Sequence, residues 1–138
     1  MKNCRNFVLL LLLTGFVMVG VQSCSQYEDN TSISLVSKTE RLSRVWKVEN
    51  YKVDSVDLTS LMTAYTETFT KDGAYSFQWA VLGGTATWSF QNGNADIKIT
   101  NVNNVTSRTL TILRLEEGAL WYYYMDGDSR IEFHMVPQ

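Results

Sequence analysis

Cysteine, histidine and proline are almost missing from this chain. Among 138 residues there are two cysteines (Cys4 and Cys24), one histidine (His134) and one proline (Pro137). A single histidine with no His-X-X-X-Glu/His spacing does not build a metal centre of the usual donors. No Gly-X-Ser-X-Gly elbow is present for a serine nucleophile, and Gly83-Gly84 lacks the Lys and Ser/Thr partners of a phosphate loop. Lysine and arginine are scattered rather than clustered, which argues against a nucleic-acid partner. These shortages point away from an enzyme and from any cofactor. His134 reads as an ordinary strand residue between Phe133 and Met135. Long apolar runs are also lacking: Phe7 to Val21 is uncharged but spans 15 residues and is broken by Thr14, Gly15 and Gly20. A membrane-spanning helix needs about 20.

That short run has its own meaning. Lys2 and Arg5 precede it, so a basic segment leads into an apolar one of signal-peptide length. Val21-Gln22-Ser23-Cys24 follows directly and resembles a lipobox, in which a small residue precedes the cysteine that receives lipid. The expected processing removes residues 1–23 and acylates Cys24. Cys4 then leaves with the leader and Cys24 is consumed, so the mature domain is expected to carry no thiol for a disulfide or a metal. Each buried acyl methylene contributes about 0.8 kcal/mol to membrane affinity, and two or three chains hold a protein permanently. Loss of Lys2 and Arg5 leaves 10 basic against 14 acidic residues, a mature charge near −4.

Residues 24–38 are rich in Ser, Asn, Thr and Gln, too polar to bury a core, and read as a flexible tether. The pair Glu28-Asp29 resembles the signal that carries Bacteroidetes lipoproteins through the outer membrane to the cell surface. Solvated linker charges would look the same. The expected location is the outer membrane, with the lipid on Cys24 as the membrane contact.

From residue 39 onward the pattern becomes short alternating runs broken by turn residues. A helical turn capped by Thr39 is expected over Thr39 to Arg44. Strands are expected at Val45–Val53, Tyr65–Thr70, Ala74–Trp79, Thr85–Phe90, Asp96–Thr100, Arg108–Leu115, Ala119–Met125 and Arg130–Val136, with Asp57–Ala64 as a short helix or looping lid. Lys71-Asp72-Gly73, Gly83-Gly84, Asn92-Gly93, Glu117-Gly118 and Asp126-Gly127 supply the turns. Eight short consecutive strands with no helices between them predict an all-β fold, a small antiparallel up-and-down barrel or clamshell, over residues 39–138. Closure would remove the edges that invite aggregation.

Several segments carry a resemblance. Leu42-Ser43-Arg44-Val45-Trp46-Lys47-Val48 looks like the opening strand of lipocalin-like domains, with Arg44 where the family usually has glycine. Thr68 to Gly73, Gly84 with Thr87-Trp88-Ser89-Phe90, Thr109 to Leu115 and Ile131 to Pro137 match the Bacteroidetes lipocalin-like lipoproteins in order. The resemblance implies a barrel with Trp46 packed at one end and an internal cavity.

Aromatic residues are the plentiful component. Trp121-Tyr122-Tyr123-Tyr124 places large rings on both faces of one strand. Two functional readings follow. In the first, a monomeric container binds a small apolar or amphipathic ligand, with Trp79, Trp88, Tyr122 and Tyr124 lining the pocket. Glu67, between Tyr65 and Phe69, or Arg114, on the face of Leu110 and Ile112, would then orient the ligand or pair with each other. In the second, a surface binding module or accessory subunit grips glycan or a partner protein through exposed, coplanar Trp121 and Tyr123. Asp126-Gly127-Asp128 lacks the further ligands of a calcium loop and reads as a hairpin.

Overall fold

The computed structural model describes residues 35–101 and 107–138. The expected leader (1–23), Cys24 and most of the tether lie outside the described residues.

Turn residues punctuate the chain into nine strands among the described residues: β1 (Val45–Val53), β2 (Val56–Asp57), β3 (Tyr65–Phe69), β4 (Ala74–Trp79), β5 (Leu82–Gln91), β6 (Asp96–Asn101), β7 (Ser107–Leu115), β8 (Leu120–Asp126) and β9 (Ser129–Pro137). All pairing is antiparallel, β1 and then β3 to β9 lie side by side in chain order, and β9 pairs back onto β1 from Val53↔Ile131 to Trp46↔Pro137. Eight strands therefore close into an up-and-down barrel, as the alternation predicted, and β2 is a two-residue spur on β1. The β1–β3 seam is paired only over Val45–Lys47 and Thr66–Thr68. Beyond it the open edge of β1 is satisfied by the lid segment. Tyr51 donates its N–H to Thr59 Oγ1 and accepts at its carbonyl from Leu58. A 3-10 turn at Thr59–Leu61 brings Met62 into the core.

One end of the barrel is floored by α1 (Lys38–Leu42). Its N-cap is Ser37, whose hydroxyl accepts from Glu40 N–H, so the helix starts one residue before the expected Thr39. Trp46 is fully buried and donates its indole N–H to the Leu42 carbonyl at 2.9 Å, tying floor to wall. Arg41 and Arg44 reach across the floor to the carbonyls of Leu115 and Glu117. Arg44 thus bridges the end of the barrel instead of entering it. Above the floor, Phe69, Trp88, Ile97, Leu110, Leu120 and Met135 fill the interior.

Three local expectations need correction. Gly83-Gly84 is not a turn: both lie inside β5, and Ala80-Val81 makes the hairpin, with Ala80 at φ 51°. The glycines serve packing instead, since a Cβ on Gly84 would sit 2.5 Å from the Phe77 ring. Pro137 is the last residue of β9 rather than beyond it, where its missing N–H costs no interior ladder bond. The third concerns Arg114 and is taken up with the cavity.

Candidate ligand-binding cavity

Two β-bulges decide which side chains face the barrel interior. A bulge places two residues opposite one and reverses the in–out alternation beyond it. In β1 the register shifts between Val48 and Asn50, so the inward set passes from Trp46 and Val48 to Tyr51 and Val53. In β7 it shifts between Ile112 and Arg114, so Leu110 and Ile112 point inward with Leu115, while Arg114 pairs in register with Trp121 on the outer face.

At the end opposite α1 the side chains do not fill the barrel. A cavity of about 570 Å³ remains, lined by rings of Tyr51, Tyr65, Tyr75, Phe77, Trp79, Tyr124 and Phe133, with Met62, Ala86 and Ile99 between them. Asn101, Ser107, Thr85 and Arg108 supply its polar wall. Trp79 stands at the mouth, 42% exposed, and the hairpin beyond it carries the exposed Val81 and Leu82.

A polar cluster sits against this cavity. Glu67 is 3% exposed, and its Oε1 accepts from the hydroxyls of Tyr65, Tyr75 and Tyr122 at 2.8, 2.9 and 2.8 Å. Its Oε2 is buried with no donor among the described residues. Burial pushes the Glu67 carboxyl above its ordinary range, against the opposing pull of the three hydroxyls and of Arg108. The same burial, together with the carboxylate, holds the Tyr65, Tyr75 and Tyr122 hydroxyls protonated. Tyr65 and Tyr75 line the cavity, so they connect its wall to the acid behind.

The six residues expected to form the site separate. Trp79 and Tyr124 line the cavity. Glu67 lies behind its tyrosine wall. Trp88 and Tyr122 are instead core residues: the Trp88 indole N–H donates to the Thr70 carbonyl, and Tyr122 stacks on Phe133 while bonding Glu67. Arg114 is outside the barrel, stacked over Trp121 at 4.8 Å and paired with Glu116. The expectation that it faces Glu67 is overturned by the β7 bulge. The inward arginine is Arg108, whose guanidinium lies 4.1 Å from the centre of the Tyr124 ring. It shares parity with Leu110 and Ile112, so the signal for it was present in the alternation.

The outer rings of β8 are not a bare platform. Trp121 stacks on His134 at 4.2 Å with 9° between planes, under Arg114. Tyr123 is covered by Arg130 at 3.7 Å, and both rings are half-buried. Glu132 bonds both His134 and Arg130; burial raises its carboxyl, but these two contacts win and hold it below the usual range. Among the described residues the second face of the aromatic strand is thus covered by charged side chains.

A closed antiparallel barrel, floored by a short helix and open at the other end onto an aromatic cavity, is a lipocalin-like fold. Comparison with solved structures agrees: a lipocalin-like protein from Bacteroides uniformis ATCC 8492 superposes with a TM-score of 0.51 at 14% identity, over 71% of this chain and 99% of that one. At that identity the likeness speaks for the fold. No protein-family model and no curated protein matches the sequence.

Proposed function

We propose that this chain is a non-catalytic, lipid-anchored envelope lipoprotein whose barrel holds a small apolar or amphipathic molecule at its open end. The observation that carries the reading is the cavity of about 570 Å³ between Tyr51, Phe77, Trp79 and Tyr124. Ligand pockets typically measure ~300–1,000 Å³ and combine apolar walls with a few placed polar groups. Folding would ordinarily bring large rings together, since burying one stabilises by roughly 1.5–3 kcal/mol. Here the rings pack among themselves along the wall, Tyr51 on Phe133 at 4.7 Å and Tyr65 on Phe133 at 5.5 Å, and still leave the space in front of them unfilled, which favours a second molecule as the filler. The anchor reading is supported by the basic-apolar leader and by Val21-Gln22-Ser23-Cys24, and the outer-membrane reading by the likeness of Glu28-Asp29 to a surface-export signal.

The test is native mass spectrometry of the protein purified from its own envelope. A non-covalent molecule retained beyond the acyl groups is the expected result. A protein that carries none, and takes none up from an envelope lipid extract, refutes the container. Cys24→Ala is expected to move the protein from the membrane to the soluble fraction; unchanged fractionation refutes the anchor.

A further inference from the structure

The cavity carries one formal charge. Of the fourteen described residues that line it only Arg108 is ionised, and none is an acid. Arg108 is exposed at the open end of the barrel, where water solvates its five donors until an entering molecule displaces that water and takes its place. Arg108 has no ion pair within 4.0 Å among the described residues; its head lies on the Tyr124 ring. That contact uses the flat face of the guanidinium and leaves the N–H edge free to donate. Glu67, the one buried acid among the described residues, is turned to three tyrosine hydroxyls and stands behind the cavity wall. Asp126 shares the groove beside Arg108 and also forms no ion pair with it within 4.0 Å.

We propose that the molecule held in the barrel is an anionic amphiphile, with its charged head on the Arg108 guanidinium and its apolar body against the rings of Phe77, Tyr65 and Trp79. This rests on the container reading above and adds the sign of the ligand. A carboxylate or phosphate matches the planar N–H edge with two parallel charge-assisted bonds, which a neutral hydroxyl cannot do. Placing Arg108 over Tyr124 also orients it at low entropic cost, since the ring holds the guanidinium before ligand arrives.

The experiment compares decanoate with decanol by isothermal titration, each below its self-association limit. It uses the whole mature chain made without acyl groups (Cys24→Ser). Wild type should bind decanoate at least about tenfold tighter, the minimum a charge-assisted pair provides. Arg108→Gln should abolish that preference while still binding decanol, and Arg108→Lys should retain part of it. Arg114→Gln, which removes an equal charge outside the barrel, should change neither affinity. Equal binding of both probes by wild type, or a preference that survives Arg108→Gln, overturns the anionic assignment and leaves the container standing. Binding of neither probe overturns both.

Discussion

Glu67→Gln separates the electrostatic cost of the buried acid from the packing around it. The folded carboxyl is raised above the ordinary value, so the folded state keeps its proton to higher pH than the unfolded chain does. Between the two titrations the unfolded state binds fewer protons, and stability falls as pH rises. The contribution is complete below an unfolded value near ~4.3 and is lost through the folded titration, at up to about 1.4 kcal/mol per pH unit. Glutamine keeps a carbonyl oxygen where Glu67 Oε1 accepts the three hydroxyls, and puts an N–H₂ group where Oε2 has no donor or acceptor. An unpaired buried amide costs about 1–3 kcal/mol, but that cost is independent of pH.

Urea unfolding of both proteins from pH ~4.5 to 8.5, upward from the unfolded value, measures the difference directly. The exposed carboxyls Glu40, Asp57, Asp72 and Glu116 are held below their ordinary values by hydrogen bonds, so their contributions vanish only in acid, below this window. Groups titrating alike in both proteins cancel. Wild type is expected to start as the more stable protein and to lose its advantage by about 1.4 kcal/mol per unit until its folded titration is passed. A difference that stays constant, or that grows in favour of wild type as pH rises, refutes the assignment of Glu67 as a strained buried acid.

Two further substitutions test the packing. Gly84→Ala forces a methyl to within 2.5 Å of the Phe77 ring and should destabilise by about 1–3 kcal/mol; because Phe77 lines the cavity, it should also weaken retention of any bound molecule, read by native mass spectrometry. Trp46→Phe leaves the Leu42 carbonyl without its indole donor and opens a void at the floor; a loss of about 2 kcal/mol in urea unfolding is expected, and no change would show that α1 does not brace the barrel.

The barrel was legible because its strands obey one rule. On β4, Tyr75 and Phe77 alternate with Ser76 and Gln78, and the same period sets β6 and β9, so the order and sense of the eight barrel strands follow from the text alone, while the two-residue spur β2 is too short to show a period. Errors fell where local chemistry has two meanings. A glycine pair can be a turn or a place where a ring lies on the backbone, and Gly83-Gly84 is the second because Phe77 needs the space. Ser37 and Thr39 are both competent caps, and the choice depends on where Leu42 must arrive to accept from Trp46.

The site was less legible, and the reason is the parity of two strands. Alternation assigns Arg114 to the face of Leu110 and Ile112 only if β7 is regular. One extra residue reverses every side chain after it, and nothing in Thr111 to Leu115 announces that residue. The bulge nevertheless has a physical cause visible in three dimensions. Leu115 must turn inward to meet Leu120 at the floor, while the outward register lets Arg114 lie on Trp121. A regular strand would have buried Arg114 beside fully apolar neighbours, where an unpaired charge costs several kcal/mol. Arg108 escapes that penalty because it lies on the other side of the bulge, at the wet end of the barrel, over an aromatic face. The same displacement that removes one arginine from the interior thus leaves the other as the sole ionised residue among the described lining of the cavity, and the charge presented at the open end becomes a property of strand register.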